Sequence, residues 1–103
     1  MTPRQGDIWW AEAHDKRRPV LVVTRSDAVP VLTWLVVAPV TRTVRDIPTE
    51  IALGAAQGLD VDCAASFDNL QPIRRSFLTE RVGSLTVEQA DEICRALAAL
   101  ADC

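Results

Sequence analysis

Along the first half of the chain, apolar and polar positions follow the period of two that a β-strand imposes, and only the last stretch follows the helical period. Asp7 to Glu12 is a short apolar segment whose alternation sends Ile8 and Trp10 to one face and Trp9 and Ala11 to the other. A charged loop, His14 to Arg18, follows, and Pro19 then opens Val20 to Thr24, a β-branched run that reads as a strand buried on both sides. Asp27 to Pro30 supplies a turn. Val31 to Val40 is apolar enough for a buried helix, but its valines and prolines favour a strand that ends at Pro39. Thr41 to Asp46 is a polar connector. Ile47, Thr49, Ile51 and Leu53 then alternate with Pro48, Glu50 and Ala52, a strand with one wet face that Pro48 assigns to a sheet edge. Gly54 and Gly58 mark a loop, and Val61 to Phe67, Leu70 to Ile73 and Arg81 to Leu85 are weaker strand signals.

The C-terminal segment is the one helix. Thr86 followed three residues later by Gln89 fits a capping box, and Glu88, Asp91 and Glu92 lie early, where they suit the helix dipole. Ala90, Ile93, Cys94, Leu97 and Ala101 fall on one apolar stripe that must pack on the sheet or on a partner. About six short strands and a terminal helix predict a small, strongly bent antiparallel sheet or barrel with the helix closing one side.

Composition narrows this little. The 103 residues, 49% hydrophobic and 24% charged, amount to one ordinary globular domain. The longest uncharged stretch, Ala28 to Thr41, carries Pro30 and Pro39 and falls short of the roughly 20 apolar residues of a membrane helix. No apolar segment of signal-peptide type follows Arg4, which places the chain in the cytosol. Three widely spaced cysteines, Cys63, Cys94 and Cys103, and a single histidine, His14, offer no zinc pattern and read as structural thiols in a reducing compartment. Asp60 and Asp62 are spaced to attract a divalent cation or simply to form a solvated turn; oxygen sites need several convergent ligands, so the turn is preferred.

Charge is more informative by position than in sum. The net charge of −3 argues against a nucleic-acid partner, yet up to Arg45 there are 7 basic and 4 acidic residues, and beyond it 4 basic and 10 acidic. Lys16, Arg17 and Arg18 precede the second strand, while Arg42 and Arg45 follow the third, so that the two groups can share one rim of an antiparallel sheet. Such a rim suits phosphates, although an ordinary charged surface has the same composition. Pro19 biases Arg18 toward an extended backbone, and Thr41 and Thr43 flank Arg42 so that hydroxyls and a guanidinium emerge together. Trp9 or Trp10 could stack a base, with core packing or a dimer interface the better assignment for either.

Four segments resemble, in order, the signatures of the MazF/PemK toxins: Gly6-Asp7-Ile8-Trp9, Arg17-Arg18-Pro19-Val20-Leu21-Val22-Val23, Val37-Ala38-Pro39-Val40-Thr41-Arg42-Thr43 and Phe67-Asp68-Asn69-Leu70. Arg81-Val82-Gly83-Ser84-Leu85 and the helix after it are similar too, so the resemblance spans nearly the whole chain. It implies a mainly β, β-rich α+β fold: a small SH3-like barrel of the CcdB/PemK type with a C-terminal helix, residues 1–103 forming a single domain. It further implies the toxin half of a toxin–antitoxin pair, a homodimer that cuts single-stranded RNA without metal or other cofactor and is blocked by an antitoxin with a disordered acidic segment.

In the chemistry so implied, the 2′-hydroxyl attacks the adjacent phosphorus and leaves a 2′,3′-cyclic phosphate and a 5′-hydroxyl. Carried over by position, Arg18 stabilises the phosphorane and Thr41 hydrogen-bonds a phosphate oxygen. Lys16, Arg17, Arg42, Thr43 and Arg45 are then the RNA-binding set. His14 corresponds loosely to a loop histidine that serves as acid or base, and Asp68 to an aspartate that here is expected to hold a neighbouring donor. Ser66 stands where PemK-type relatives have an arginine, which departs from their proton relay. The loop from Glu12 to Arg18 is shorter than in many relatives, which would admit a folded transfer or ribosomal RNA loop as well as messenger RNA. Two other readings keep the fold. One is a gyrase poison like CcdB, disfavoured because the chain ends Ala101-Asp102-Cys103 and not Trp-Gly-Ile; the other is a barrel that only binds nucleic acid or protein.

Overall fold

A computed structural model describes residues 2–13 and 15–101 of the chain. Seven strands form one curled antiparallel sheet: β1 (Asp7–Ala13), β2 (Lys16–Val22), β3 (Trp34–Thr41), β4 (Glu50–Leu53), β5 (Cys63–Ser66), β6 (Gln71–Arg74) and β7 (Leu78–Ser84). A single helix, α1 (Glu92–Ala101), follows. The spatial order is β4-β5-β3-β2-β1-β7, and β6 pairs with the β5 side of β3. The first half of β3 pairs with β6, from Trp34 opposite Arg74 to Val37 opposite Gln71, and its end pairs with β5, Val40 opposite Ala65. One edge thus serves two strands, which bends the sheet at the end of β3. This is the expected mainly β architecture, a curled half-barrel with a C-terminal helix against it.

The two-faced reading of the strands explains the core. Ile8, Leu21, Ala38, Ile51, Ala65 and Phe67 pack on one face with Ile93 and Ala96 of α1, while Trp9, Val20, Val22, Leu35, Val37, Ile73 and Leu78 pack on the other. Alternation within β1 and β2 therefore feeds two clusters, which is why Val20 to Val23 carries no polar position. Asp7 is a buried acid that knits the start of β1: it accepts hydrogen bonds from the Arg4 amide at 3.0 Å and the Trp9 indole at 3.4 Å and pairs with Arg81 at 3.5 Å.

Several boundaries differ from the sequence reading. The basic triplet Lys16, Arg17 and Arg18 lies within β2, not in a loop before it, because β1 and β2 stay in register as far as Ala13 opposite Lys16. Asp15 takes the left-handed backbone of that tight turn, a conformation aspartate tolerates. Val31 and Leu32 belong to a turn closed by their amides on the Ala28 carbonyl, so β3 starts only at Trp34. β4 is confined to Glu50–Leu53; Ile47 and Pro48 stand exposed before it. At the C-terminus, the Thr86 amide donates to Gln89 Oε1 at 3.1 Å as the capping box requires, but it opens a single 3-10 turn, Val87–Gln89, and the α-helix begins at Glu92. The apolar stripe is correspondingly narrower: Ile93 and Ala96 are buried and Leu97 half-buried, while Ala90, Cys94 and Ala101 are exposed. Cys94 is thus not a core thiol, whereas Cys63 is buried.

Candidate active site

Strands β2 and β3 run side by side with Val20 opposite Pro39. Beyond this last pair of the register, Arg18 on β2 and Thr41 on β3 line the same two cavities, at the end of the sheet where β3 turns to pair with β5. Two cavities meet there. One, of about 630 Å³, is lined by Trp10, Arg17, Arg18, Thr41, Arg42, the Gly58–Val61 loop, Cys63, Glu80 and Arg81 among others. The second, of about 770 Å³, is lined by Arg18, Thr41 and Arg42 together with Ser66, Asp68, Asn69 and Gln71. Arg18, Val40, Thr41 and Arg42 are common to both and form the ridge between them.

The cations around this ridge differ in what they are already bound to. Arg17 donates to Glu80 at 2.8 Å, lies 3.8 Å from Glu12 and covers the Trp10 ring. Arg81 pairs with Asp7, and Arg45 approaches Glu50 at 3.9 Å. Among the described residues, neither Arg18 nor Arg42 has a carboxylate within ion-pair distance. Both residues are exposed and open to an incoming anion. The Thr41 hydroxyl accepts the Thr43 amide at 3.1 Å, which occupies an oxygen lone pair and leaves the O–H proton to donate elsewhere. The ridge therefore presents two forked cations and one hydroxyl donor, a set matched to a tetrahedral anion such as a phosphodiester.

The supporting residues fix the ridge from both ends. Glu50, its side chain 4% exposed, receives the backbone amides of Arg45 and Asp46 at 2.9 and 3.1 Å and so shapes the connector that carries Arg42. The Thr49 hydroxyl donates to Asp68 at 2.6 Å, tying the far end of that connector to the turn between β5 and β6. Asn69 donates to the buried Ser66 hydroxyl at 2.8 Å in the same turn. Behind the ridge, burial pushes the Cys63 thiol up; the charge of Asp62 adds to this and that of Arg42 opposes it. A thiol held protonated is a weak nucleophile.

Of the residues singled out from sequence, Arg18, Thr41 and Arg42 converge on the ridge, Arg17 lines the first cavity and Asp68 the second. Lys16, Thr43 and Arg45 line neither cavity. His14 lies outside the described residues. Reading from sequence missed the Leu59–Val61 loop, Glu80 and Arg81 as wall residues. The sequence marks that loop by its glycines as a break and by Asp60 and Asp62 as a solvated turn, and Glu80 reaches the wall because it pairs with Trp10 across β1 and β7. No three His, Cys, Asp or Glu side chains cluster among the described residues, and no helix there is long and apolar enough to cross a membrane.

Comparison with known proteins agrees with this geometry. A family model described as the PemK-like, MazF-like toxin of type II toxin-antitoxin systems matches residues 4–101. The "Probable endoribonuclease MazF5" of Mycobacterium tuberculosis is 34% identical over 103 residues, 98% of this chain and 94% of that protein. The "Endoribonuclease MazF3" of the same organism is 40% identical over 83 residues, 81% of each. The solved structure of the Mycobacterium tuberculosis toxin MazF-mt6 has a TM-score of 0.86 and 38% identity, covering 93% of this chain and 96% of that one.

Proposed function

Because the chain belongs to the PemK-like, MazF-like toxin family of type II toxin–antitoxin systems, we propose that its 103 residues form one endoribonuclease toxin domain that cuts single-stranded RNA at the Arg18–Thr41 ridge. The observation that carries this reading is the ridge itself: Arg18 and Arg42, with no ion-pair partner among the described residues, and the Thr41 hydroxyl, between two cavities that can each take one side of a scissile phosphate. The 2′-oxygen bonds to phosphorus, the bond to the 5′-oxygen breaks, and the products are a 2′,3′-cyclic phosphate and a 5′-hydroxyl. Arg18 and Arg42 neutralise the charge that accumulates on the phosphorane oxygens, and Thr41 donates to one of them. Arg18 also donates a hydrogen bond to the departing 5′-oxygen, which takes its proton from solvent, while another group takes the 2′ proton. His14 is the candidate for that group, imidazole being the commonest general base among side chains. Asp68, held by Thr49, positions the turn at the second cavity.

The toxin acts in the cytoplasm as a homodimer, and an antitoxin with a disordered acidic segment covers the cationic ridge. What supports a second copy is an apolar row on β3 and the turn before it. There Val31, Leu32, Trp34 and Val36 stand exposed, Trp34 to 53%. The test is cleavage of cellular RNA by purified protein in the presence of EDTA, with mapping of 5′-hydroxyl ends. Cleavage is expected to persist in EDTA, and Arg18→Ala or Thr41→Ala is expected to lower the rate by about 100- to 1000-fold while the protein stays folded. Cleavage that stops in EDTA, or full activity in both variants, overturns the reading.

A further inference from the structure

The phosphate chemistry above leaves one conspicuous group in the first cavity unused. Trp10 sits in a central strand between Pro19 on β2 and Glu80 on β7, and its ring belongs to neither core cluster. The Arg17 guanidinium lies 4.3 Å from the ring centroid. Glu80 accepts from that guanidinium at 2.8 Å and Glu12 lies at 3.8 Å, and Glu12 is in turn held by the Thr79 hydroxyl at 2.6 Å. Two carboxylates beside one guanidinium leave little net charge for a phosphate, which distinguishes Arg17 from Arg18 next to it. What remains is shape. A guanidinium is planar and weakly hydrated on its faces, so a flat ion fixed over an indole extends its π surface into the cavity.

We propose that the Trp10–Arg17 stack is the platform on which the base of a nucleotide flanking the scissile phosphate rests, with Glu80 and Glu12 as positioning residues that hold the guanidinium flat. It rests on the endoribonuclease reading for the identity of the neighbouring phosphate. Trp10, Arg17 and Glu80 line the same cavity as Arg18, Thr41 and Arg42, so a phosphodiester on the ridge puts its own nucleoside within reach of the stack. Every nucleobase has a π-face, and such a platform therefore contributes affinity to any base and selects weakly among them.

The test separates base from backbone. Fluorescein-labelled 2′-O-methyl RNA decamers, which lack the attacking hydroxyl and are not cut, are prepared in random sequence and in an abasic form. Their binding is measured by anisotropy with the full-length protein. Trp10→Leu is expected to weaken the base-bearing decamer about tenfold, to leave the abasic decamer unchanged, and to be largely rescued in Trp10→Phe. Arg17→Ala, at a side chain that is 45% exposed, is the second variant should Trp10→Leu melt, and a smaller loss on the base-bearing decamer alone is expected. Equal losses on both decamers, no loss on either, or failure of the protein to bind them overturns the platform. A failure of the endoribonuclease reading would appear separately, as intact unmodified RNA with the binding difference still measurable.

Discussion

At the scale of single residues, what distinguishes the ridge is the partner each side chain lacks. Arg17 and Arg18 are adjacent in sequence and alike in composition, yet Arg17 is tied to Glu80 and Glu12 while Arg18 has no carboxylate beside it among the described residues. Sequence could not show that Arg17 is the one already held by carboxylates, because Glu80 arrives from β7, 63 residues away. The cysteines divide in the same manner. Cys63 is buried with its thiol pushed above the ordinary value, chiefly by desolvation, while Cys94 is exposed. At neutral pH the Cys63 thiol is protonated as well as shielded, so iodoacetamide followed by peptide mass mapping should label Cys94 well before Cys63. The raised value also has a sign for stability. The contribution is fully present below the unfolded thiol's pKa and is lost as pH rises through that value toward the folded one, so what this thiol contributes to stability is lost in alkaline solution. Equal labelling of both thiols in the native protein would contradict this placement.

At the scale of elements, the cavity wall depends on a contact that only glycine allows. A Cβ on Gly83 of β7 would lie 2.1 Å from the Gln57 carbonyl oxygen, and one on Gly58 would lie 2.6 Å from that of Val82. The loop from Gly54 to Val61 therefore lies directly against β7. Gly58 also takes a left-handed backbone, φ +91°, to turn the chain there. Gly83→Ala must lift this loop, at a cost of roughly 1 to 3 kcal/mol by analogy with overpacked cores. A melting temperature lower by roughly 5 to 20 °C is expected, with slower RNA cleavage because Leu59 to Val61 move with the loop. An unchanged melting curve would mean that the loop does not seat on β7. The strand signals themselves were legible in every case, and their errors lie at the ends. β2 began earlier than its apolar run because pairing with β1 carried three charged residues into the sheet, and β3 began later because a turn claimed Val31 and Leu32. Hydrophobicity marks what is buried, and hydrogen-bonded pairing does not require burial.

At the scale of the whole molecule, the net charge of −3 conceals a basic first half and an acidic remainder. RNA affinity should accordingly depend on the cavity-lining cations that have no ion-pair partner among the described residues, Arg18 and Arg42. Each phosphate neutralised on a single strand contributes about −0.7 to the slope of log affinity against log salt. Arg42→Ala should therefore make the slope shallower by about 0.7, whereas Arg25→Ala should leave it unchanged, since Arg25 already pairs with Asp27 at 3.2 Å and lines neither cavity. A titration at several salt concentrations decides this, and an effect at Arg25 equal to that at Arg42 would refute it. Sequence by itself determined the mainly β class, the two-faced packing of β1 and β2, the capping box, and Arg18 and Thr41 as the pair to examine. The first three follow from periodicity and local propensity, which act over a few residues; the pair follows from the resemblance of its motifs to those of the toxin family. Only the tertiary structure decided which cations are held by carboxylates and that Trp10 leaves the core while Trp9 enters it. It also decided that a loop after β4 and a strand near the C-terminus wall the cavity. Those outcomes depend on register between strands distant in sequence, where a single carboxylate across the sheet changes what a guanidinium can bind.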